Sequence, residues 1–186
     1  MIEFRGAGQA EFTEHLDTVI DIYAAAMRPP SDQITGRKAI MRNHGTYPFF
    51  QCYFAELRGE SGAYPSKIVG FAYGFRGAPG QWWHDVVFRA LEKQAGREVA
   101  EAWLGNAFEL AEIHMHPDYQ GKGIGRAMIA TLCAGRRERS AVLSTHDRPT
   151  TARHLYASMG FTDLLSPFLF PGGYEQYAIV GRPLPL

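Results

Sequence analysis

Cysteine is scarce in this sequence: Cys52 and Cys133 are the only two among 186 residues. They are isolated, with no C-x-x-C spacing, so neither a zinc site nor a disulfide framework is readable and a reducing compartment fits best. Long apolar runs are missing as well. No uncharged stretch approaches the ~18 residues of a membrane span, and the opening MIEFRGAGQAEF lacks a basic-then-apolar leader pattern. A cytoplasmic protein is expected. Net charge is absent too, since 19 Lys plus Arg balance 19 Asp plus Glu. The longest basic cluster is RRER at Arg136 to Arg139, read as a solvated helix end, so no nucleic-acid footprint is seen. Internal repeats and low-complexity tracts do not occur. What remains is a chain with 46% hydrophobic residues, enough to bury a proper core and short enough to form one domain over residues 1–186.

Periodicity supplies the order of elements. IEFRG reads as a short strand, and Phe12, Leu16, Val19, Ile20, Tyr23 and Met27 fall at helical spacing until Pro29 and Pro30 end the pattern. A second helix is expected over Gln33 to Arg42. Residues 48–57 and 67–75 are dense in aromatic and apolar residues and read as paired strands, with RGESGAYPS as the hairpin connection. Residues 76–105 look like an insertion, with a short helix near Val86 to Lys93. The next strand, AFELAEIHMH at 107–116, alternates Glu109, Ala111, Ile113 and Met115 with Leu110, Glu112, His114 and His116. A helix over 126–137, a strand over 141–145, a helix in TTARHLYASMG capped by Gly160, and strands FTDLL and YEQYAIVG complete the chain.

Between the 107–116 strand and the following helix stands HPDYQGKGIGRAM, with Gly121, Gly123 and Gly125 at every second position. Such a β-α-β unit suits either a tight turn or a cradle of bare N–H groups around an anion at a helix N-terminus. A dinucleotide fingerprint fits poorly, because it needs G-x-G-x-x-G and an acidic residue about 20 positions on. A P-loop fits no better, since Lys122 is followed by glycine.

Gln120-Gly121-Lys122-Gly123-Ile124-Gly125 matches the (Gln/Arg)-x-x-Gly-x-(Gly/Ala) acyl-CoA motif of the GCN5-related N-acetyltransferase (GNAT) superfamily, with MHPDY in the place of its Val-x-Pro segment. ARHLYASMGF, residues 152–161, matches that family's A-x-x-L-Y-x-x-x-G-F. The chain therefore resembles this family over nearly its whole length. The resemblance implies an α+β fold with a central mixed, mostly antiparallel sheet of about seven strands flanked by helices. It implies acetyl-CoA as co-substrate and no metal. It places the pyrophosphate on the amides of residues 121–126, through Arg126, and the pantetheine arm on the backbone near Ile113, Met115 and His116. On this reading the glycines are bare because Cβ atoms would hold the amides off the anion, with added charge from Lys122 and Arg126.

Acyl transfer to an amine needs a deprotonated nitrogen, an oxyanion donor and a proton for the thiolate. An alkylammonium has a pKa near ~10.4, so a base or a dry pocket must act. Glu109 and Glu112 occupy places where family members carry a base or a substrate-facing polar residue, and the choice between them, water and His114 stays open. His114 and His116 form an H-x-H pair without a third metal ligand spaced nearby. By the resemblance Tyr156 protonates the leaving thiolate, and a backbone N–H near Ile113 serves the oxyanion. Pro149 replaces an Asn common in the family, leaving Asp147 or Thr150 to supply that polar contact. GQWWHDV at 80–86 offers two tryptophans, His84 and Asp85 to an amine. The expected acceptor is a small-molecule amine, with no nucleic acid or membrane partner and with a homodimer left open. A non-catalytic acyl-CoA sensor is the alternative, as is a transferase for longer acyl groups.

Overall fold

Pro29 and Pro30 stop the first helical pattern where expected, but the pattern before them is broken. A computed structural model, which describes residues 1–58 and 66–186, shows α1 (Gln9–Glu14) and α2 (Leu16–Met27) separated at His15, after β1 (Ile2–Ala7). A short 3₁₀ turn, Ser31–Gln33, leads into α3 (Ile34–His44), then β2 (Gln51–Leu57) and β3 (Lys67–Arg76). Most of the expected hairpin connection, residues 59–65, lies outside the described residues.

The segment over 76–105 is more helical than its sequence suggests. In place of one short helix it forms α4 (Trp82–Ala95) and α5 (Arg97–Leu104). They are parted by Gly96 at φ +92°, a conformation costly for any residue with a Cβ. After β4 (Ala107–Met115) and the turn come α6 (Ile124–Cys133), β5 (Ser140–His146), α7 (Thr151–Ser158), β6 (Thr162–Leu169) and β7 (Gln176–Pro183). The helix expected over 126–137 thus starts and stops earlier. RRER consequently lies beyond it, and its expected role as a solvated end is corrected. Arg136 donates to Glu138 at 2.7 and 3.1 Å and stands 3.8 Å from the Phe108 ring centroid, while Arg76 reaches Glu138 at 3.3 Å.

The strands form one mixed sheet of seven, in the order β1-β2-β3-β4-β5-β7-β6. β1, β2 and β3 pair antiparallel in sequence, β4 and β5 pair parallel across the α6 crossover, and β7 lies antiparallel between β5 and β6. The sheet is therefore mostly antiparallel and flanked by helices, as the sequence resemblance implies.

The chain divides into two compact units, Met1–Phe75 with Ala111–Leu132, and Arg76–Leu110 with Cys133–Leu186. The first has its own core, in which Phe12, Leu16, Val19 and Tyr23 meet Phe54, Phe71 and Tyr73. In the second, Val87, Leu91 and Leu104 pack with Val142, Leu165 and Ile179. Both cysteines are buried free thiols. Burial pushes the Cys52 thiol well up, and pushes Cys133 up to about 12. Among the described residues no helix is long and apolar enough to cross a membrane.

Candidate active site

In the first unit the end of β4 and the glycine turn are tied by their own side chains. His116 caps the Pro117–Tyr119 turn, its Nδ1 accepting from the Asp118 amide at 3.4 Å. Gln120 Nε2 donates to the Met115 carbonyl at 2.9 Å. Lys122 Nζ donates to the Asp118 carbonyl at 3.1 Å and sits 5.3 Å from the Tyr119 ring centroid. These side chains brace the loop and leave its backbone as the outward feature.

Gly121 and Gly123 adopt φ of +74° and +76°, and a Cβ at either would meet nothing within 4 Å. Within the protein itself, then, the left-handed backbone and not crowding requires glycine there. Gly125 lies inside α6, whose first residue, Ile124, is buried and anchors the turn, while Arg126 is exposed. The leading N–H groups of an α-helix have no intrahelical acceptor, so the start of α6 suits an anionic group. Ile113, Met115 and His116 follow Glu109 along the chain, and Glu109 pairs with Val142 of β5.

Further back on β4 is a polar cluster. Glu112 is 9% exposed, and its two oxygens are taken separately. Oε1 accepts from Arg37 Nη1 at 3.0 Å, and Oε2 meets His114 Nε2 at 2.5 Å. Burial alone would raise this carboxyl. The hydrogen bond from His114, the charge that ring carries when protonated and the charge of Arg37 outweigh it and hold Glu112 below the usual carboxylate range. The His114 ring stands edge-on to Tyr23 at 5.2 Å and tilted to Phe71 at 5.5 Å, and the Arg37 guanidinium lies 5.2 Å from the Tyr23 centroid. His44, bonded through Nδ1 to the Tyr73 hydroxyl at 3.0 Å, is lowered to about 4, chiefly by burial and also by Arg37. His114 and Glu112 are thus together, whereas His116, on the same strand parity, turns to Asp118.

The remaining sequence candidates lie in the second unit. Glu109 is buried at 4% exposure. Tyr156 is buried on α7, its ring edge-on to Phe161 at 5.9 Å. Thr150 caps α7 by accepting from the Arg153 amide at 3.1 Å, and Asp147 accepts from Ser166 at 2.8 Å. Both polar residues near Pro149 are therefore engaged within their own fold. The two tryptophans of GQWWHDV stand in the first turn of α4. Trp83 donates to Ser144 Oγ at 3.3 Å, and Trp82 stacks on Phe170 at 5.4 Å.

Arg37 and His44 carry no expectation from the sequence, and Tyr23 only that of a core position. A signal existed in α3, where the inward positions Ile34, Arg37, Met41 and His44 keep helical spacing with two basic residues on the apolar face.

Residues 50–163 match the family model described as "Acetyltransferase (GNAT) domain". The chain is 33% identical over 196 aligned positions to a GCN5-like protein acetyltransferase of Mycobacterium tuberculosis, covering 95% of each. A GNAT-family protein of Desulfovibrio desulfuricans has the same fold at TM-score 0.66 and 14% identity, over 98% of this chain and 99% of that one. So does yncA of Salmonella typhimurium, described as an acetyltransferase and solved with its cofactor acetyl-CoA, at TM-score 0.61 and 17% identity, over 100% and 95%. This chain belongs to the GCN5-related N-acetyltransferase family and is an acetyl-CoA-dependent acetyltransferase.

Proposed function

We propose that the enzyme acetylates a primary amine carried on a slender arm, with a small-molecule amine as acceptor. The observation that carries the acetyl-CoA half of this reading is the turn itself, where two left-handed glycines lead into the N-terminus of α6 directly after β4. The amides of residues 121–126 take the pyrophosphate of coenzyme A, helped by the positive end of the helix. Backbone groups of Ile113, Met115 and His116 receive the pantetheine arm, while Gln120, Lys122 and Ile124 hold the turn in shape and Arg126 adds charge. When bound, acetyl-CoA supplies an acyl group already activated as a thioester. By its motif position, Tyr156 gives its hydroxyl proton to the departing thiolate.

Two observations support a small acceptor. The chain has no net charge to attract a polyanionic partner. Glu112 and His114 are only 9% and 12% exposed, which favours a thin amine arm over a bulky surface. The second reading, a lysine side chain of a protein, is favoured by the Mycobacterium tuberculosis relative, which is named a protein acetyltransferase.

Thiol release from acetyl-CoA, measured with spermidine and with N-α-acetyl-lysine beside calorimetric cofactor binding, separates these readings. Turnover of spermidine is the expected result. Turnover of the lysine derivative alone transfers the assignment to protein acceptors. Cofactor binding without turnover of either amine overturns both acceptor readings.

A further inference from the structure

We propose that His114 takes the proton from the acceptor ammonium, and that Glu112 and Arg37 are positioning residues that hold its imidazole in the form able to do so. This assignment rests on the acetyl-transfer reading above and deepens it. Glu112 has the poorer geometry for the task, because each of its oxygens is already held, one by Arg37 at 3.0 Å and one by His114 at 2.5 Å. Taking up a proton would cost it one of those charge-assisted bonds.

The same contact defines what His114 can do. An ionised carboxylate only accepts, so Nε2 must carry the hydrogen, and in the neutral imidazole the lone pair then lies on Nδ1. Nδ1 has no hydrogen-bond partner among the described residues, and the side chain is 12% exposed. Tyr23 from α2 and Phe71 from β3 fix the plane of the ring. The charged and titratable groups that meet it are Glu112 on β4 and the phenol-bearing ring of Tyr23 on α2, while Arg37 and His44 on α3 act on Glu112. His44, lowered to about 4, is neutral near pH 7.

The step balances. The acceptor R–NH₃⁺ gives one proton to Nδ1, and the freed lone pair forms the C–N bond at the thioester carbonyl carbon. As the tetrahedral intermediate collapses, the C–S bond breaks and its electron pair leaves on sulfur. A second proton lost from nitrogen replaces the one delivered to the thiolate, and the proton on His114 passes to solvent. The products are amide, thiol and one proton.

Two experiments test this on the full chain. Nitrogen NMR of the histidines at pH 7 should show His114 with hydrogen on Nε2, and Glu112→Gln should shift it to Nδ1, while Glu112→Asp keeps the original tautomer. Hydrogen on Nδ1 in the wild type overturns the proposal without reference to activity. Second, kcat/KM is followed from pH 6 to pH 10 with spermidine and N-α-acetyl-lysine. His114→Gln should lose on the order of 10²-fold at pH 7 with acetyl-CoA affinity kept. Its rate should then climb about tenfold per pH unit toward the pKa of the amine, where the wild type levels off earlier. An active wild type whose rate and profile are unchanged in His114→Gln overturns this assignment alone, and loss of the acidic limb in Glu109→Gln would move the role there. A wild type that turns over neither amine overturns both acceptor readings above and this inference with them.

Discussion

Replacing Gly70 with alanine is a severe test of how β3 and β4 fit together. The new Cβ would stand 2.0 Å from Met115 Sδ, 2.7 Å from its Cε and 3.1 Å from the His114 carbonyl. Met115 is 7% exposed and has little room to retreat, so the overpacking should cost about 1–3 kcal/mol. For a chain of this size each kcal/mol lowers Tm by about 2–4 °C. Met115→Ala alone should cost about 2–5 kcal/mol through the hole it leaves. The double variant should cost well under the sum, because the methyl of residue 70 then enters the vacated space and only the carbonyl contact persists. A coupling of about 1–3 kcal/mol is expected from urea unfolding of the four proteins at constant m. If Gly70→Ala costs the same whether or not Met115 is present, or costs nothing, the packing argument is wrong. Acetyl-CoA affinity should weaken in the single variant as well, since Gln120 holds the glycine turn through the Met115 carbonyl.

Acidification should weaken the fold through the same unit. His44 titrates near 4 when folded and near 6.5 when unfolded, so stability is complete above the unfolded value and is lost as pH falls between the two, by up to about 3 kcal/mol. Glu112, held below its usual range, loses its contribution at still lower pH, so the two effects have the same sign. His44→Gln should flatten the first part of that decline in urea midpoints, and an unchanged slope would count against the burial of this imidazole. Gly123→Val, which forces a β-branched residue to φ +76°, should abolish calorimetric acetyl-CoA binding; retained affinity would refute the role given to the turn. Tyr156→Phe should lower kcat at least tenfold with cofactor affinity kept. Equal loss of both would make Tyr156 a packing residue only.

Local chemistry was legible in the sequence, and distant chemistry was not. The strand, glycine turn and helix that end at Cys133 are adjacent along the chain, so their spacing alone reports their geometry. The Arg37–Glu112 pair joins residues 75 apart, and no local pattern states that α3 faces β4. The break at His15 was hidden because Phe12 and Leu16 keep helical spacing across it, although each is buried from a different helix. Of the two helices over 82–104 only the stretch near Val86 to Lys93 is legible locally, because the roles of Trp83 and Trp103, half-buried against the core of the second unit, depend on strands distant in the chain. RRER misled for a related reason, since an Arg–Glu–Arg cluster is usually solvated, and here Glu138 is 5% exposed.

Thiol chemistry offers a practical use of the two buried cysteines. Alkylating reagents attack the thiolate, and with Cys133 titrating near 12 only about one molecule in 10⁵ carries it at pH 7. Cys52 is fully enclosed and is pushed in the same direction. A single cysteine introduced at an exposed position such as Thr13 or Ala130 would therefore react far ahead of both native thiols. Fluorophores or spin labels could then be placed one at a time on the unaltered background, and motion of the glycine turn followed during turnover without first removing a native residue.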